Sequence, residues 1–193
     1  LTRTYTISGQ RHNEIDVDFA IHAGEGPAST WAMNAQPGNR ILVGGPGPRK
    51  LINTSADWFL LAGDMAALPA IKINLAHLPR DAQGYVVLEV VDESDIQPPK
   101  SPPNIEVHWV VNFSADITGS ALLDRIEQLS RLPRQPAVWA ACEFHSMRAL
   151  RKHFKLQHQW PKGYLYVSSY WKTGSTEDQH KIEKQDDAQS ARQ

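Results

Sequence analysis

Arg3, Tyr5 and Thr6 form an Arg-x-Tyr-Thr run whose residue types suit one kind of ligand. A guanidinium holds a phosphate or pyrophosphate through two parallel charge-assisted hydrogen bonds. Residues two apart on a strand share a face, so Tyr5 can stack on an aromatic ring beside the phosphate that Arg3 holds. The Thr6 hydroxyl can then donate to a ring nitrogen. The bare pattern also occurs in strands that bind nothing. His22 follows, just before Gly24-Glu25-Gly26, at a strand end where a lone histidine is more often structural or exposed than ligand-bound. The helix beginning near Ala28 and Ser29 presents free backbone amides and a positive dipole end, which any short helix offers an anion.

Two further pairs place a small residue beside an acid: Gly63-Asp64 and Cys142-Glu143. Each follows an apolar run that reads as a buried strand. Loops at the carboxyl ends of parallel strands are where open α/β sheets bind ligands. Asp64 reads equally as the N-cap of the following helix, and capping and ligand contact are compatible. The cluster Arg148, Arg151, Lys152, His153 and Lys155 is either a cationic rim or the solvated face of a helix.

Other chemistries are excluded early. Cys142 is the sole cysteine, which rules out an internal disulfide and any four-thiolate site. None of the eight histidines stands in HExxH spacing, and His153 and His158 are five apart, off a shared helical face, so no metal site is expected. With 20 basic against 21 acidic residues and a net charge of −1, nothing marks a nucleic-acid or anionic-membrane partner. No apolar run is long enough to span a bilayer and no signal peptide opens the chain, so the expected location is the cytoplasm.

These residues need elements to position them. Arg3 to Ile7, Asp16 to His22 and Arg40 to Val43 read as strands, with a short helix from Gly26 to Ala32 between the last two. The first of these reads as the inside of a strand, so partner strands are expected in the intact protein. Gly44 to Lys50 (GGPGPRK) has spacing like a phosphate loop, but Pro46 and Pro48 remove amide donors, and a linker is the better reading. From Asp57 strands and helices alternate: strands at Trp58–Ala62, Tyr85–Val90, Ile105–Val111, Val138–Ala141 and Tyr164–Ser168. The intervening helices are expected at Met65–Leu78, Thr118–Leu132 and Ser146–Leu156. Right-handed crossovers make that sheet mostly parallel. Past Gly174 the chain is polar, with Ile182 its sole large aliphatic, and is expected to be disordered. The expected architecture is β plus α/β: part of an antiparallel barrel over 1–52, an open, mostly parallel α/β domain over 53–173, and a polar tail over 174–193.

In order, RTYT, DFAIHAGEGPASTWA, AQPGNRILVGGPG, WFLLAGDMAALPAI and YVSSYWKTG resemble the siderophore-interacting proteins, from Arg3 to about Gly174. The resemblance implies an FAD-binding antiparallel barrel followed by a nicotinamide-binding-like domain of the ferredoxin-reductase kind. It implies Arg3 at the FAD pyrophosphate and Tyr5 and Thr6 at the isoalloxazine, with Phe19 and His22 in a second flavin segment. Ala28, Ser29 and Trp31 fall in the helix that caps the pyrophosphate, and Tyr170 and Trp171 in a closing segment that returns to the flavin. Gly63, Asp64, Leu68, Pro69 and Glu143 fall on the nicotinamide side. Lys172, with Arg148, becomes a candidate contact for an anionic iron chelate, against the alternative of an ordinary solvated lysine.

Two departures stand out. The family's early barrel strands are missing, and Cys142 replaces a glycine, which would add bulk beside the nicotinamide. The implied activity is FAD-dependent reduction of a ferric siderophore, with NADH, NADPH or ferredoxin as donor, by a monomer, and no protein residue serving as acid or base. Two other classes remain: an NAD(P)H-dependent flavin or ferredoxin reductase, and a non-catalytic ferric-siderophore binding protein.

Overall fold

The computed structural model describes residues 2–21, 26–113, 120–157 and 160–190. Apolar runs fix its centre. β3 (Trp58–Gly63) is buried along its whole length, and it is flanked by β4 (Gln83–Val90) and β6 (Pro136–Glu143). β5 (Asn104–Val111) and β7 (Leu165–Trp171) form the edges, giving the order β5-β4-β3-β6-β7 with every pair parallel.

Side chains alternate along these strands and split the core in two. On one face Phe59, Leu61, Val86, Leu88 and Trp139 pack under α2 (Leu68–His77), which contributes Ile71 and Leu75. On the other, Leu60, Val87 and Val138 pack against α3 (Ala121–Glu127) and α4 (Phe144–Gln157), through Leu122, Met147, Leu150 and Phe154. A 3-10 turn, Met65–Ala67, precedes α2, so the expected single helix is two pieces meeting between Ala67 and Leu68. The expected start of α3 at Thr118 lies outside the described residues.

The N-terminal part is sparser. β1 (Ile7–Arg11) pairs antiparallel with β2 (Glu14–Val17), and α1 (Pro27–Asn34) follows. Strands were expected to begin at Arg3, to reach His22 and to recur at Arg40–Val43. Instead the ladder begins at Ile7 and ends at Val17, and Arg40–Val43 joins no sheet among the described residues. An extended segment becomes a strand only where its amides and carbonyls find a partner, and Leu42 is fully exposed at 100%. No helix follows the glycine- and proline-rich connector, in keeping with a linker. Its far end is pinned: Trp139 Nε1 donates to the Lys50 carbonyl at 2.7 Å, and Ile52 N to Asn74 Oδ1 at 2.7 Å.

The polar tail is a correction. Rather than disorder, it forms α5 (Glu177–Ser190). Glu177 and Asp178 lie in its first turn, where acids complement the helix dipole, and Thr176 Oγ1 accepts from Gln179 N at 3.3 Å as a cap. Its docking is polar: His180 is 4% exposed and its Nε2 lies 2.8 Å from Ser169 Oγ. Lys184 Nζ donates to Ser168 Oγ (2.8 Å) and to the Ser169 carbonyl (2.7 Å), and Asp187 pairs with Arg151 of α4. No apolar stripe announces such a helix.

Candidate functional site

The strand order reverses between β3 and β6, which places a crevice at their carboxyl ends. Asp64 leaves β3 there and Glu143 ends β6. Asp64 is 8% exposed, and three donors converge on it: Ala66 N to Oδ1 (3.0 Å), Glu143 N to Oδ2 (2.8 Å) and Trp171 Nε1 to Oδ2 (2.7 Å). Capping is therefore part of its role, and it also ties the ends of β3, β6 and β7. Burial raises its carboxyl to about 6, opposed by those hydrogen bonds. Glu143 is equally engaged: its Oε1 accepts from Thr173 N at 3.1 Å and lies 3.0 Å from His145 Nδ1, and its Oε2 accepts from His145 N.

Gly63 was expected to let a ligand approach the backbone. What approaches is protein. A Cβ there would stand 2.5 Å from the Ala141 carbonyl and 2.7 Å from Ala67 Cβ, so glycine is needed for the turn to close against β6. Leu68 and Pro69 open α2, with Pro69 buried in its first turn and Leu68 packed on the core. Cys142 is a second correction. Residues 138, 140 and 142 of β6 face α3 and α4, so the thiol is 0% exposed in that core beside Phe144 and Met147, and its bulk falls away from the crevice. Burial first, and then the charge of Asp64, drives the thiol well up from its ordinary range.

A cavity of about 390 Å³ opens where the N-terminal segment meets the end of β7. Arg3, Tyr5, Ala28 and Ser29 line one side, and Tyr170, Trp171 and Lys172 the other. Ala20, Gly26 and Pro27 also line it, as do Ser175, Thr176, Glu177 and His180. Sequence reasoning missed these last four because the tail carries no apolar period; the acids of its first turn behind Thr176 were the available signal. Tyr5 packs on Phe19 (ring centroids 4.6 Å apart) and Phe19 on Trp31 (6.1 Å), an aromatic stack behind the cavity wall. Burial, then Glu177, raises the Tyr5 hydroxyl above its usual range. α1 starts with Pro27 and has no side-chain cap, and Ser29 Oγ donates to the Gly26 carbonyl at 3.0 Å.

Both candidate cations of the cavity face carboxylates of α5. Arg3 Nε lies 3.7 Å from Glu177 Oε2, and Thr4 Oγ1 donates to Glu177 Oε1 at 3.0 Å. Lys172 Nζ donates to Glu183 Oε1 at 2.7 Å and sits 5.0 Å over the Phe144 ring. Thr6 is half-buried and does not line the cavity, nor does Arg148, which pairs with Asp187 at 3.4 Å. His22 lies outside the described residues. Among the described residues no three His, Cys, Asp or Glu side chains gather as a metal site, and no helix is long and apolar enough to cross a membrane.

A parallel five-stranded α/β domain follows an antiparallel hairpin, and a cavity lined by cationic and aromatic side chains opens where the segments flanking the hairpin meet the end of β7 and the start of α5. The Siderophore-interacting protein family matches residues 56–174, and the Siderophore-interacting FAD-binding domain matches residues 1–50. The chain belongs to the siderophore-interacting protein family. It is 35% identical over 188 residues to the ferric vibriobactin reductase ViuB of Vibrio cholerae, covering 94% of this chain and 68% of that protein. The siderophore-interacting protein SipS of Aeromonas hydrophila superposes with a TM-score of 0.86 at 28% identity, over 97% of this chain and 74% of that one. The siderophore interacting protein of Acinetobacter baumannii has the same fold, with a TM-score of 0.86 at 24% identity over 100% of this chain and 79% of that one.

Proposed function

We propose that the chain is the flavin-contacting part of a reductase that takes electrons from NADH, NADPH or ferredoxin and delivers them to Fe(III) in a siderophore. One observation carries this reading: Arg3, Tyr5, Ala28, Ser29, Tyr170, Trp171 and Lys172, drawn from both ends of the chain, meet in one cavity. The residues present suit FAD. Arg3 already holds a carboxylate, as it would a phosphate, and the free first-turn amides of α1 add donors on the same side. Tyr5, braced by Phe19 and Trp31, and Trp171 opposite supply aromatic walls. FAD, when bound, accepts electrons as a pair and releases them singly.

The chain's own part is binding and electrostatics. Arg3 and the α1 amides hold the pyrophosphate, Tyr5 and Trp171 orient the ring, and Lys172 draws an anionic chelate to the rim. The crevice at the ends of β3 and β6 is the place for the donor. A nicotinamide carries two electrons and each ferric centre accepts one, so a turnover reduces two chelates and frees one proton. Hard oxygen ligands hold Fe(II) less tightly than Fe(III), and the iron is released. The reading places this release in the cytoplasm, with a monomeric reductase.

The test is an absorption spectrum of the intact protein with FAD, reduced without oxygen and then given a ferric siderophore. Flavin bands that bleach on reduction and return as Fe(II) forms support the reading. A folded protein that takes up no FAD overturns it, and one that binds a ferric siderophore without flavin is a binding protein instead.

A further inference from the structure

Asp64 and Glu143 stand where a nicotinamide or its ribose would be sought, yet their oxygens are turned to protein donors. A carboxylate offers about four acceptor positions. Three donors occupy Asp64, and three occupy Glu143, counting the backbone amide and ring Nδ1 of His145 and the amide of Thr173. Two of these six donors belong to one short segment: the Trp171 indole goes to Asp64 and the Thr173 amide to Glu143. Between them lies Lys172, and Trp171 and Lys172 both line the cavity. The hydrogen bond that the Glu143 backbone amide donates to Asp64 Oδ2 at 2.8 Å links the two acids, so the end of β7 is held at two points by one connected pair.

We infer that Asp64 and Glu143 are positioning residues that clamp the end of β7 and so fix Trp171 and Lys172 at the cavity wall. The clamp follows from the geometry alone; its bearing on flavin affinity rests on the reading given above. A neutral carboxyl accepts these donors poorly, so the clamp is set by the ionisation of Asp64. The groups facing Asp64 are Glu89 of β4, Glu143 of β6, and Tyr170 and Trp171 of β7, while the Cys142 thiol feels its charge from the opposite face of the sheet. Glu89 adds to burial in holding the proton, and the Trp171 and Glu143 donors oppose it. The outcome is a carboxyl that titrates at about 6, so the clamp is engaged at neutral pH and releases in mild acid.

The indole Nε1–H of Trp171 reports this directly in the full chain labelled with 15N-tryptophan, its resonance identified by its loss in Trp171→Phe. The expected signal is protected from exchange at neutral pH and moves with a midpoint of about 6. In Asp64→Asn it should exchange about tenfold faster, the equivalent of one lost hydrogen bond, and no longer titrate. A Trp171 signal that is unchanged in Asp64→Asn, or that never titrates in the unmodified protein, overturns the clamp; the latter arm stands even where the variant fails to fold. Titration with FAD supplies the second readout: Asp64→Asn and Trp171→Phe should each weaken binding about tenfold. FAD affinity in both variants equal to that of the unmodified protein, with the indole released in Asp64→Asn, overturns the positioning role. Failure of the unmodified protein to bind FAD overturns the functional reading and leaves the clamp to be judged by the indole.

Discussion

α2 and α5 both cover the sheet next to the candidate site, and they are held by opposite means. α2 buries Ile71 and Leu75 in the core under β3 and β4, and its one polar anchor, Asn74, is fully engaged. α5 leaves its sole large aliphatic, Ile182, 61% exposed and docks through His180, Lys184 and Asp187. Apolar burial is untouched by pH and by ionic screening, whereas ion pairs and a buried imidazole answer to one or both. One helix is therefore a permanent wall of the molecule, beside the crevice at Asp64, and the other a conditional one, lining the cavity through Glu177 and His180.

The largest expected effect lies on the permanent side. Ile71→Ala should cost about 3–4 kcal/mol of global stability, seen as a lower urea midpoint, because the site cannot collapse around the lost side chain. A loss under about 1 kcal/mol would break the contrast. Next comes Asp64, whose carboxyl is raised by burial from 3.8 to about 6. A raised folded-state value means that its contribution is greatest below the unfolded value and declines as pH climbs towards 6. Stability should fall over that window by roughly 2–3 kcal/mol, and the fall should be absent in Asp64→Asn.

On the conditional side, Lys184→Ala should cost about 1–2 kcal/mol, the scale of its two hydrogen bonds, and the cost should be local. Hydrogen exchange should quicken in α5 while the core amides keep their protection; uniform loss would show that α5 belongs to the core after all. His180 has the opposite sign to Asp64. Burial, and then Lys184, lowers the imidazole, so its contribution is present above the unfolded value of 6.5 and is lost as pH falls below it. α5 amides should thus lose protection in mild acid before the rest of the fold. The smallest effect is at Glu177, whose carboxylate competes for Arg3. Glu177→Gln should raise FAD affinity about three- to fivefold in a fluorescence titration, and a weaker affinity would mean that Glu177 supports the site.

Where the physics is periodic, the sequence reads clearly. β3 is a continuous apolar run and β4 nearly so, and these runs place the parallel sheet and its ligand-facing end. The aromatic and cationic residues of the cavity are a different matter. Arg3 and Tyr5 are separated from Trp171 and Lys172 by most of the chain, and only the family resemblance brought them together in advance. Side-chain facing also escaped: Cys142 neighbours Glu143 in sequence but points into the opposite core, a consequence of strand alternation that a loop reading ignores. Gly63 looked like room for a ligand because small size does not say what fills the space. α5 was invisible because hydropathy cannot register a helix docked by charges.

The indole of Trp139, bonded to the Lys50 carbonyl, bears on mechanics. It nails the downstream end of the connector to the floor of the sheet, so any swivel of the hairpin and α1 has its pivot upstream of that point. The cavity wall that Arg3 and Tyr5 supply is thus joined to the sheet twice, covalently through a connector anchored at Lys50 and directly through Glu177 of α5.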